Sequence, residues 1–368
     1  MGAARRHGRA RQTQKPAPGR RIRNREPGAR ERRGVVMASG VGQLVVTVDV
    51  EPDRQWDSAP SVSLANLARL PRLHDVLRAA GARPTYLVSY AVCADDQSAR
   101  ILADLRGEGC EIGAHLHPWD TPPLTPADAD GGPKPFPTEL EENVLRDKLA
   151  NLTRALEERI GQRPVSHRAG RWALDGRGLR ALEDLGYRVD TSVTPLVSWE
   201  RHRGRAAGSR GPCYKRAPAA PYRPDRDDVC RPGSSPVLEV PVSIAFARRL
   251  PVGVREWYRR APDSHPLVRA VRKSGLVRPT WFRPTRTSAA RMIAAGERLL
   301  AEGAPVLNMA FHSSEALPGG SAYLATERQV EQFLERIAET LAYFLRRRGL
   351  EAALLSEVRA PAPSVGAV

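Results

Sequence analysis

Leu44-Val45-Val46-Thr47-Val48-Asp49 is a short run of apolar and β-branched residues that ends in a carboxylate. A run of this kind predicts a strand buried on both faces, as in a parallel sheet covered by helices. Similar runs follow along the chain, separated by segments with a helical period. We predict further strands near residues 85–88, 111–117, 165–168, 187–190, 238–242, 306–311 and 353–355.

The alternation of strand and helix indicates an α/β fold with a parallel sheet. The chain has 368 residues, and one core of about 320 residues suits a distorted (β/α)7-8 parallel barrel with an elaborated rim. The alternation breaks at about 196–236, where Pro, Gly and Arg are frequent, and this stretch predicts an irregular insertion such as a lid. We therefore expect the barrel over 37–358 and a flexible tail over 359–368.

The first 36 residues differ from the rest in composition, with 12 basic and two acidic side chains and almost no large apolar ones. Such a segment predicts disorder. Two explanations for it remain open: a basic arm that binds nucleic acid, or a mis-assigned start codon with Met37 as the true first residue. The rest of the chain carries about +7 of the formal +17, so we expect no nucleic-acid partner there.

Composition also excludes two structural classes. No apolar run reaches the roughly 18 residues that a spanning helix needs, and four Cys in 368 residues exclude a disulfide scaffold. No apolar segment follows the N-terminal charges as it would in a secretory signal. We therefore expect a cytoplasmic protein without a membrane span.

Ionisable side chains stand at the carboxyl ends of five predicted strands. They are Asp49 with Glu51 and Asp53 just beyond it, His115 with His117, Arg168, Asp190 and His312. In a parallel barrel these ends lie on one face, where active sites form. Each group alone has a structural explanation, such as a strand-end cap or a buried ion pair, but their joint placement predicts one active site.

The residue types indicate a metal-assisted reaction. His115 and His117 lie on the same side of an extended strand, a spacing that suits a shared metal. Imidazole and carboxylate ligands are typical of Zn²⁺, with Co²⁺, Ni²⁺ or Mn²⁺ as alternatives. A metal activates water and polarises a carbonyl, while a carboxylate and a histidine move protons. Without a Gly-x-Ser-x-Gly elbow, this chemistry predicts acyl hydrolysis that needs no serine nucleophile.

Five short motifs contain these residues. They are Thr47-Val-Asp49-Val-Glu51, Glu111-Ile-Gly-Ala-His115-Leu-His117, His167-Arg168-Ala-Gly-Arg171, Val189-Asp190-Thr-Ser and Phe311-His312-Ser-Ser. In this order they resemble the motifs of polysaccharide deacetylases, the NodB-homology enzymes of carbohydrate esterase family four, and most closely their WalW-like branch. The resemblance covers roughly 43–325.

The resemblance implies a distorted (β/α)7 barrel and metal-dependent removal of acetyl groups from amino sugars. It implies Asp49 as the catalytic base and Arg168 as the residue that tethers this base. It further implies His115 as a metal ligand, and His312 as a general acid tuned by Asp190.

Two positions depart from the family pattern and bear on the ligand set. The family has adjacent aspartates in its first motif, whereas here Asp49 is followed by Val50 and the next acid is Glu51. The family spaces its two histidines four apart, whereas here the second is His117 and Trp119 stands at the family position. The third ligand therefore stays open at this point.

Glu51 or Asp53 would complete a metal site with His115 and His117. We expect a metal-dependent hydrolase that removes acetyl groups from an N-acetylated or O-acetylated saccharide. Two alternatives remain: a catalytically degenerate barrel that only binds saccharides, and a metal-independent amide hydrolase of the same fold.

Overall fold

The computed structural model describes residues 42–55, 62–129, 132–275 and 277–360. The described residues form one compact unit. The basic segment 1–36 and the C-terminal residues beyond 360 lie outside them, so the predictions made for these tails remain predictions.

Strands and helices alternate along the described ranges. The strands are β1 (Gln43–Val50), β2 (Pro84–Val88), β3 (Glu111–Leu116), β4 (Ser166–Ala169), β5 (Val189–Asp190), β6 (Leu238–Glu239), β7 (Ile244–Phe246), β8 (Pro279–Trp281), β9 (Val306–His312) and β10 (Glu351–Ala352). The helices are α1 (Leu70–Ala79), α2 (Tyr90–Cys93), α3 (Asp96–Gly107), α4 (Pro126–Ala129), α5 (Glu142–Ile160), α6 (Gly176–Asp184), α7 (Val252–Arg260), α8 (Pro266–Lys273), α9 (Ala289–Ala301) and α10 (Glu327–Leu341). Within these ranges, no helix has both the length and the apolar character needed to cross a bilayer.

β1 lies at the centre of a parallel sheet. It pairs with β9 along one side, and with β2 and the short β10 along the other. Strands β2 to β6 follow in chain order, each parallel to the one before. Past β6, the Ser243 amide donates to the Asn308 carbonyl of β9 (3.1 Å), and the Asn308 amide donates to Ser243 Oγ (2.8 Å). The sheet edges thus meet, and the predicted distorted parallel barrel is confirmed.

Side chains of β1 alternate between two apolar cores. Val46 and Val48 pack outward in the large core that the helices cover. Val45 faces the barrel interior in a smaller cluster with Val189 and Leu238. Because a strand alternates with a period of two, Thr47 and Asp49 share the inward side with Val45. The site is therefore built on the inner face at the open end of the barrel.

The last predicted strand differs in position from the observed one. The sequence predicts it at 353–355, whereas β10 ends at Ala352 and a single 3-10 turn occupies Leu355–Glu357. Leu355 fills the interior core, and its amide donates to the Thr85 side chain of β2 (Oγ1, 2.9 Å) instead of to a strand carbonyl. The Ala353 amide still donates to the Leu44 carbonyl of β1 (3.0 Å), so the apolar run ends the sheet pairing and then fills the bottom of the barrel.

Between β5 and β6 the chain is irregular and contains only isolated bridges, such as the one between Ser198 and Cys213. It is anchored by Tyr214, whose buried hydroxyl donates to the Trp172 carbonyl (2.6 Å) and accepts from the Leu174 amide (3.0 Å). The segment therefore packs against the loop that follows β4, next to the predicted site.

A second, antiparallel pair stands beside the barrel. β7 pairs with β8 through Ile244 and Trp281, and helices α7 and α8 lie between the two strands in sequence. The Phe282 amide donates to the Ser243 carbonyl (2.9 Å), and the Ala310 amide donates to the Phe282 carbonyl (3.3 Å). These hydrogen bonds attach the antiparallel pair to the barrel alongside β9.

Candidate active site

The strand registers place the predicted site residues in two adjacent pairs. Asp49 of β1 lies beside His312 of β9, and His115 of β3 lies beside Arg168 of β4. Because these strands are parallel, their carboxyl ends meet at one end of the barrel. All four side chains line one small cleft. Glu51, His117, Arg171 and Trp172 also line this cleft.

Arg168 holds the carboxylate of Asp49. Its Nη1 donates to Asp49 Oδ1 at 2.5 Å, and both side chains are buried. Its Nη2 donates to Thr47 Oγ1 (2.7 Å), and its Nε donates to the Thr191 carbonyl (3.0 Å). The guanidinium lies over the Trp172 ring, 4.8 Å from its centroid. With so many fixed partners, Arg168 orients Asp49 within the cleft.

Glu51, His115 and His117 form a buried cluster of potential metal ligands. The Nε2 atoms of both histidines lie 3.4 Å from the same oxygen, Glu51 Oε2. Two ligand atoms bound about 2.1 Å from one tetrahedral ion are about 3.4 Å apart. The spacing of this donor set therefore fits a first-row divalent cation.

The remaining ring nitrogens of both histidines have partners that leave Nε2 free to bind. His115 Nδ1 donates to the Arg168 carbonyl (2.9 Å), so its lone pair is on Nε2. His117 Nδ1 faces Asp120 Oδ2 at 3.3 Å. A carboxylate or carbonyl behind the imidazole is the usual support for a metal-binding histidine. Sequence analysis did not identify Asp120, although it follows His117 by three positions.

The electrostatics of this cluster favour positive charge between its members. Burial would raise the pKa of Glu51, but His312, His115 and His117 lower it well below its usual value. Burial would lower the pKa of His117, but the carboxylates of Asp120 and Glu51 raise it to about 9. Glu51 is thus ionised, and the negative field that would protonate His117 also attracts a metal cation.

Asp53 does not join the cluster. Its Oδ1 accepts from Asn66 Nδ2 (2.8 Å), and its Oδ2 accepts from Ser63 Oγ (2.8 Å). Of the two acids considered from the sequence, Glu51 alone reaches the histidines.

His312 faces the cleft with one nitrogen and a buried carboxylate with the other. Its Nε2 lies 3.6 Å from Asp49 Oδ2 and 3.7 Å from Glu51 Oε1. Its Nδ1 lies 3.2 Å from Glu315 Oε1 and 2.9 Å from Arg283 Nη2. Burial would lower the pKa of His312, but Glu51 and Glu315 raise it, while Arg283 opposes them. Neither Glu315 nor Arg283 was identified from sequence, although Glu315 follows His312 by three positions.

Asp190 does not contact His312, so the prediction that Asp190 tunes His312 is wrong. Asp190 Oδ1 accepts instead from His167 Nδ1 (2.7 Å), and its Oδ2 accepts from the Ser192 amide (2.8 Å). The preceding residue, Val189, faces the barrel interior, so the side chain of Asp190 points to the opposite face of the sheet. The sequence correctly predicted that Asp190 lies at a strand end, but it did not predict which face of the sheet its side chain is on.

The loop after β4 brings backbone close beneath the cleft. A Cβ on Gly170 would stand 2.4 Å from the Leu116 carbonyl oxygen, so no larger residue fits there. Arg171 and Trp172 follow with φ values of +55° and +62°, in the left-handed region that favours glycine. Two successive residues of this kind mark a strained turn, which is typical of functional sites.

The cleft is small, and a larger cavity adjoins it. The cleft measures about 30 Å³ and has room for an ion or a water molecule but not for a sugar ring. The neighbouring cavity measures about 460 Å³, within the range of ligand sites. Arg283 lines the cavity and contacts His312, so the two spaces share a wall.

No protein-family model and no curated protein matches this chain. Among solved structures, one similar to this chain is a candidate polysaccharide deacetylase from Mycobacterium smegmatis, with 16% identity and a TM-score of 0.45 over 88% of this chain and 97% of the other. A second is a family 4 carbohydrate esterase from Streptomyces lividans in complex with acetate, with 12% identity and a TM-score of 0.42 over 88% of this chain and 98% of the other. A third is a family 4 acetyl xylan esterase from Clostridium thermocellum in complex with a cobalt ion, with 13% identity and a TM-score of 0.40 over 86% of this chain and 89% of the other. These are proteins of the class that the five motifs resemble.

Proposed function

We propose that this protein is a metal-dependent hydrolase that removes an acetyl group from an amino sugar of a saccharide. One observation carries the proposal: an Arg-tethered carboxylate, Asp49, and a carboxylate-backed histidine, His312, both border the Glu51, His115 and His117 cluster. A base, an acid and a set of metal ligands are the parts that amide hydrolysis without a covalent intermediate requires.

Glu51, His115 and His117 would hold the cation, with Zn²⁺ as the first candidate and Co²⁺, Ni²⁺ or Mn²⁺ as alternatives. When bound there, such a cation supplies Lewis-acid polarisation of the acyl carbonyl and makes water more acidic. Asp120 and the Arg168 carbonyl fix the two imidazole rings so that both Nε2 atoms point to Glu51.

Asp49 would act as the general base. Arg168 occupies its Oδ1, which leaves Oδ2 toward the cleft and toward His312. Oδ2 would accept a proton from the attacking water as its oxygen adds to the acyl carbon. General bases of this kind contribute typically about 10² to 10⁴-fold to the rate.

His312 would act as the general acid. Glu51 and Glu315 raise the pKa of His312 and so favour its imidazolium form, in which Nδ1 faces Glu315 and the proton on Nε2 faces the cleft. This proton would pass to the amide nitrogen as the carbon–nitrogen bond breaks. The products are acetate and a free amine on the sugar.

Metal analysis and acetate release on the purified full chain test this proposal together. We expect about one divalent ion per chain and release of acetate from N-acetylated or O-acetylated oligosaccharides. Glu51→Gln should lose the metal, whereas Asp49→Asn should keep it and lose rate by about 10² to 10⁴-fold. Asp53→Asn, which removes a nearby carboxylate outside the cluster, should change neither quantity.

Four results would contradict the proposal. Full metal content in Glu51→Gln would remove the ligand assignment, and a near-parent rate in folded Asp49→Asn would remove the base. Metal-loaded protein that binds oligosaccharides without releasing acetate would indicate a degenerate binding barrel. Unchanged acetate release after complete metal removal would indicate a metal-independent hydrolase.

A further inference from the structure

The 460 Å³ cavity beside the cleft has a distinct chemical character. Trp199, Trp281, Tyr258 and Tyr323 supply aromatic surface to its lining. Trp199 and Trp281 stand edge to face, with ring centroids 6.1 Å apart. Aromatic faces of this kind pack well against the apolar faces of sugar rings.

The charged residues of this lining are all arginines. Two of them are neutralised: Arg272 pairs with Asp263 (2.6 Å), and Arg283 pairs with Glu315 (2.5 Å). The other three, Arg278, Arg286 and Arg291, have no carboxylate within ion-pair distance among the described residues. No acidic residue lines the cavity among those that the structure describes, so these guanidinium groups give the lining an excess of positive charge.

Two uncharged features of the wall also favour an anion. Thr280 is 5% exposed and lines the cavity, and its Oγ1 has no hydrogen-bond partner among the described residues. The 13-residue helix α9 begins at the cavity, since Thr287 and Arg291 both line it. Ser288 does not cap this helix with its side chain, and its first turn has no acidic residue. Its positive end is therefore uncompensated.

The cavity is connected to the catalytic residues by direct contacts. Arg283 Nη2 lies 2.9 Å from Nδ1 of His312. Trp281 packs edge to face on Trp172, with centroids 6.0 Å apart, and Trp172 lines the cleft. A saccharide with its acyl group in the cleft would therefore extend its neighbouring sugar toward the three arginines.

We propose that this cavity binds an anionic substituent, a carboxylate or a phosphate, on the sugar next to the acylated one. The inference rests on the proposed function, because it gives that site an acidic saccharide as its substrate class. Guanidinium groups bind both anions in bidentate fashion, and the Thr280 hydroxyl adds a neutral donor. Trp199 and Trp281 contact the sugar ring, and the arginines select its charge.

Fluorescence of Trp199 and Trp281 provides a binding signal that does not depend on turnover. The full-length protein is titrated at low salt with a neutral N-acetylglucosamine tetramer and with a tetrasaccharide that alternates N-acetylglucosamine and glucuronate. A second pair is an N-acetylglucosamine dimer and the same dimer with a phosphate on one of its two sugars. We expect the anionic member of at least one pair to bind about tenfold tighter or more, with a preference that declines as salt increases.

The variant Arg278→Gln/Arg286→Gln/Arg291→Gln tests the residues. Solvent weakens ion pairs at exposed arginines, so we expect anionic ligands to bind roughly 10 to 100-fold more weakly to this variant. Neutral ligands should bind as before. The matched control Arg100→Gln/Arg154→Gln/Arg188→Gln removes three exposed arginines elsewhere and should keep the preference.

Each outcome separates this inference from the proposed function. Equal binding of charged and neutral ligands, or an unchanged preference in the cavity variant, overturns the inference even if acetate is released. An arginine-dependent preference supports it even if no acetate is released, and the pair that shows the larger preference identifies carboxylate or phosphate.

Discussion

A single buried carboxylate, Glu315, contacts both the imidazole of His312 and the guanidinium of Arg283. Burial would raise the pKa of Glu315, but Arg283 and His312 lower it to about 2, so it is ionised. Glu315→Gln removes this charge with little change in shape. We expect kcat for acetate release to fall about 10 to 100-fold in folded, metal-loaded protein, because His312 loses the group that orients it.

Asp190→Asn is the matched control for Glu315→Gln, since Asp190 contacts His167 and not the cleft. Asp190→Asn should lower the melting temperature, and it should reduce kcat much less than Glu315→Gln does. If Asp190→Asn lost rate as Glu315→Gln does, while its folded fraction stayed constant, the assignment of Glu315 to His312 would be contradicted.

Asp120 supports His117 from outside the cluster. Loss of such a partner typically costs about 10 to 100-fold in metal affinity. We therefore expect Asp120→Asn to raise the Kd for Zn²⁺ by this factor in competition with a chromophoric chelator. Asp53→Asn should leave the Kd unchanged, and equal effects of the two variants would speak against a supporting role for Asp120.

Residue types and strand ends could be predicted from the sequence, but partners could not. Glu51, His115 and His117 meet as expected because a period of two keeps each set on one side of its strand. Asp190 follows an inward-facing Val189, so its side chain points away from His312. That distinction depends on which residue of a two-residue strand faces inward, and β5 is too short to show a period.

At the level of elements, β5 and β6 are joined by a buried acidic pair. Asp190 lies beside Glu239 in the register. Burial would raise the pKa of Asp190, but its hydrogen bond to His167 and the charge of that residue outweigh burial and lower the pKa below its usual value. Burial and the charge of Asp190 raise the pKa of Glu239 well above its usual value. Glu239 therefore carries a proton in the folded protein at a pH where the unfolded chain has released it.

This proton makes stability fall as pH rises. The contribution of Glu239 is fully present below its unfolded pKa of about 4.3 and is lost as pH rises through its higher folded pKa. Glu239→Gln cannot titrate. Urea unfolding between about pH 5 and pH 7 should show the parent losing stability relative to the variant, by up to about 1.4 kcal/mol per pH unit.

Glu158→Gln, an exposed change on α5, should follow the parent at every pH. A constant difference between the parent and Glu239→Gln would mean that Glu239 is ionised in the folded state, which its burial beside Asp190 argues against.

Elements with a long, clear pattern were predictable. The eight residues of β1 and the seven of β9 are apolar enough to identify directly. The pair of β7 and β8 was not predicted, because each strand has three residues and two helices separate them in sequence. Its pairing depends on contacts between residues about 35 positions apart, which local pattern does not report.

For the whole chain, the basic segment 1–36 remains a prediction. It has almost no apolar side chains to bury, so a chain that starts at Met37 should match the full chain in melting temperature and acetate release. Thermal unfolding and initial rates on both forms provide the comparison. Lost activity, or salt-sensitive nucleic-acid binding that only the longer form shows, would instead indicate a functional arm.

The cavity could not be predicted from the sequence, because its lining residues come from separate parts of the chain. Its lining joins the irregular segment after β5, the β8 strand and the start of α9. Trp199 and Trp281 are far apart in the chain and meet only in the folded protein. Each of the five motifs identified in the sequence lies at one strand end, whereas the residues that line the cavity form no local motif.

The short antiparallel pair of β7 and β8 connects the wall of the 460 Å³ cavity to His312. Trp281 ends β8 in the cavity wall, and two residues later Arg283 contacts His312. Any substitution that shifts β8 to admit a different sugar would also displace Arg283, the partner of the proposed general acid His312. Mutants selected for new substrates should therefore carry compensating changes near Glu315, and directed evolution that holds β8 fixed while varying 196–236 would change specificity with less loss of turnover.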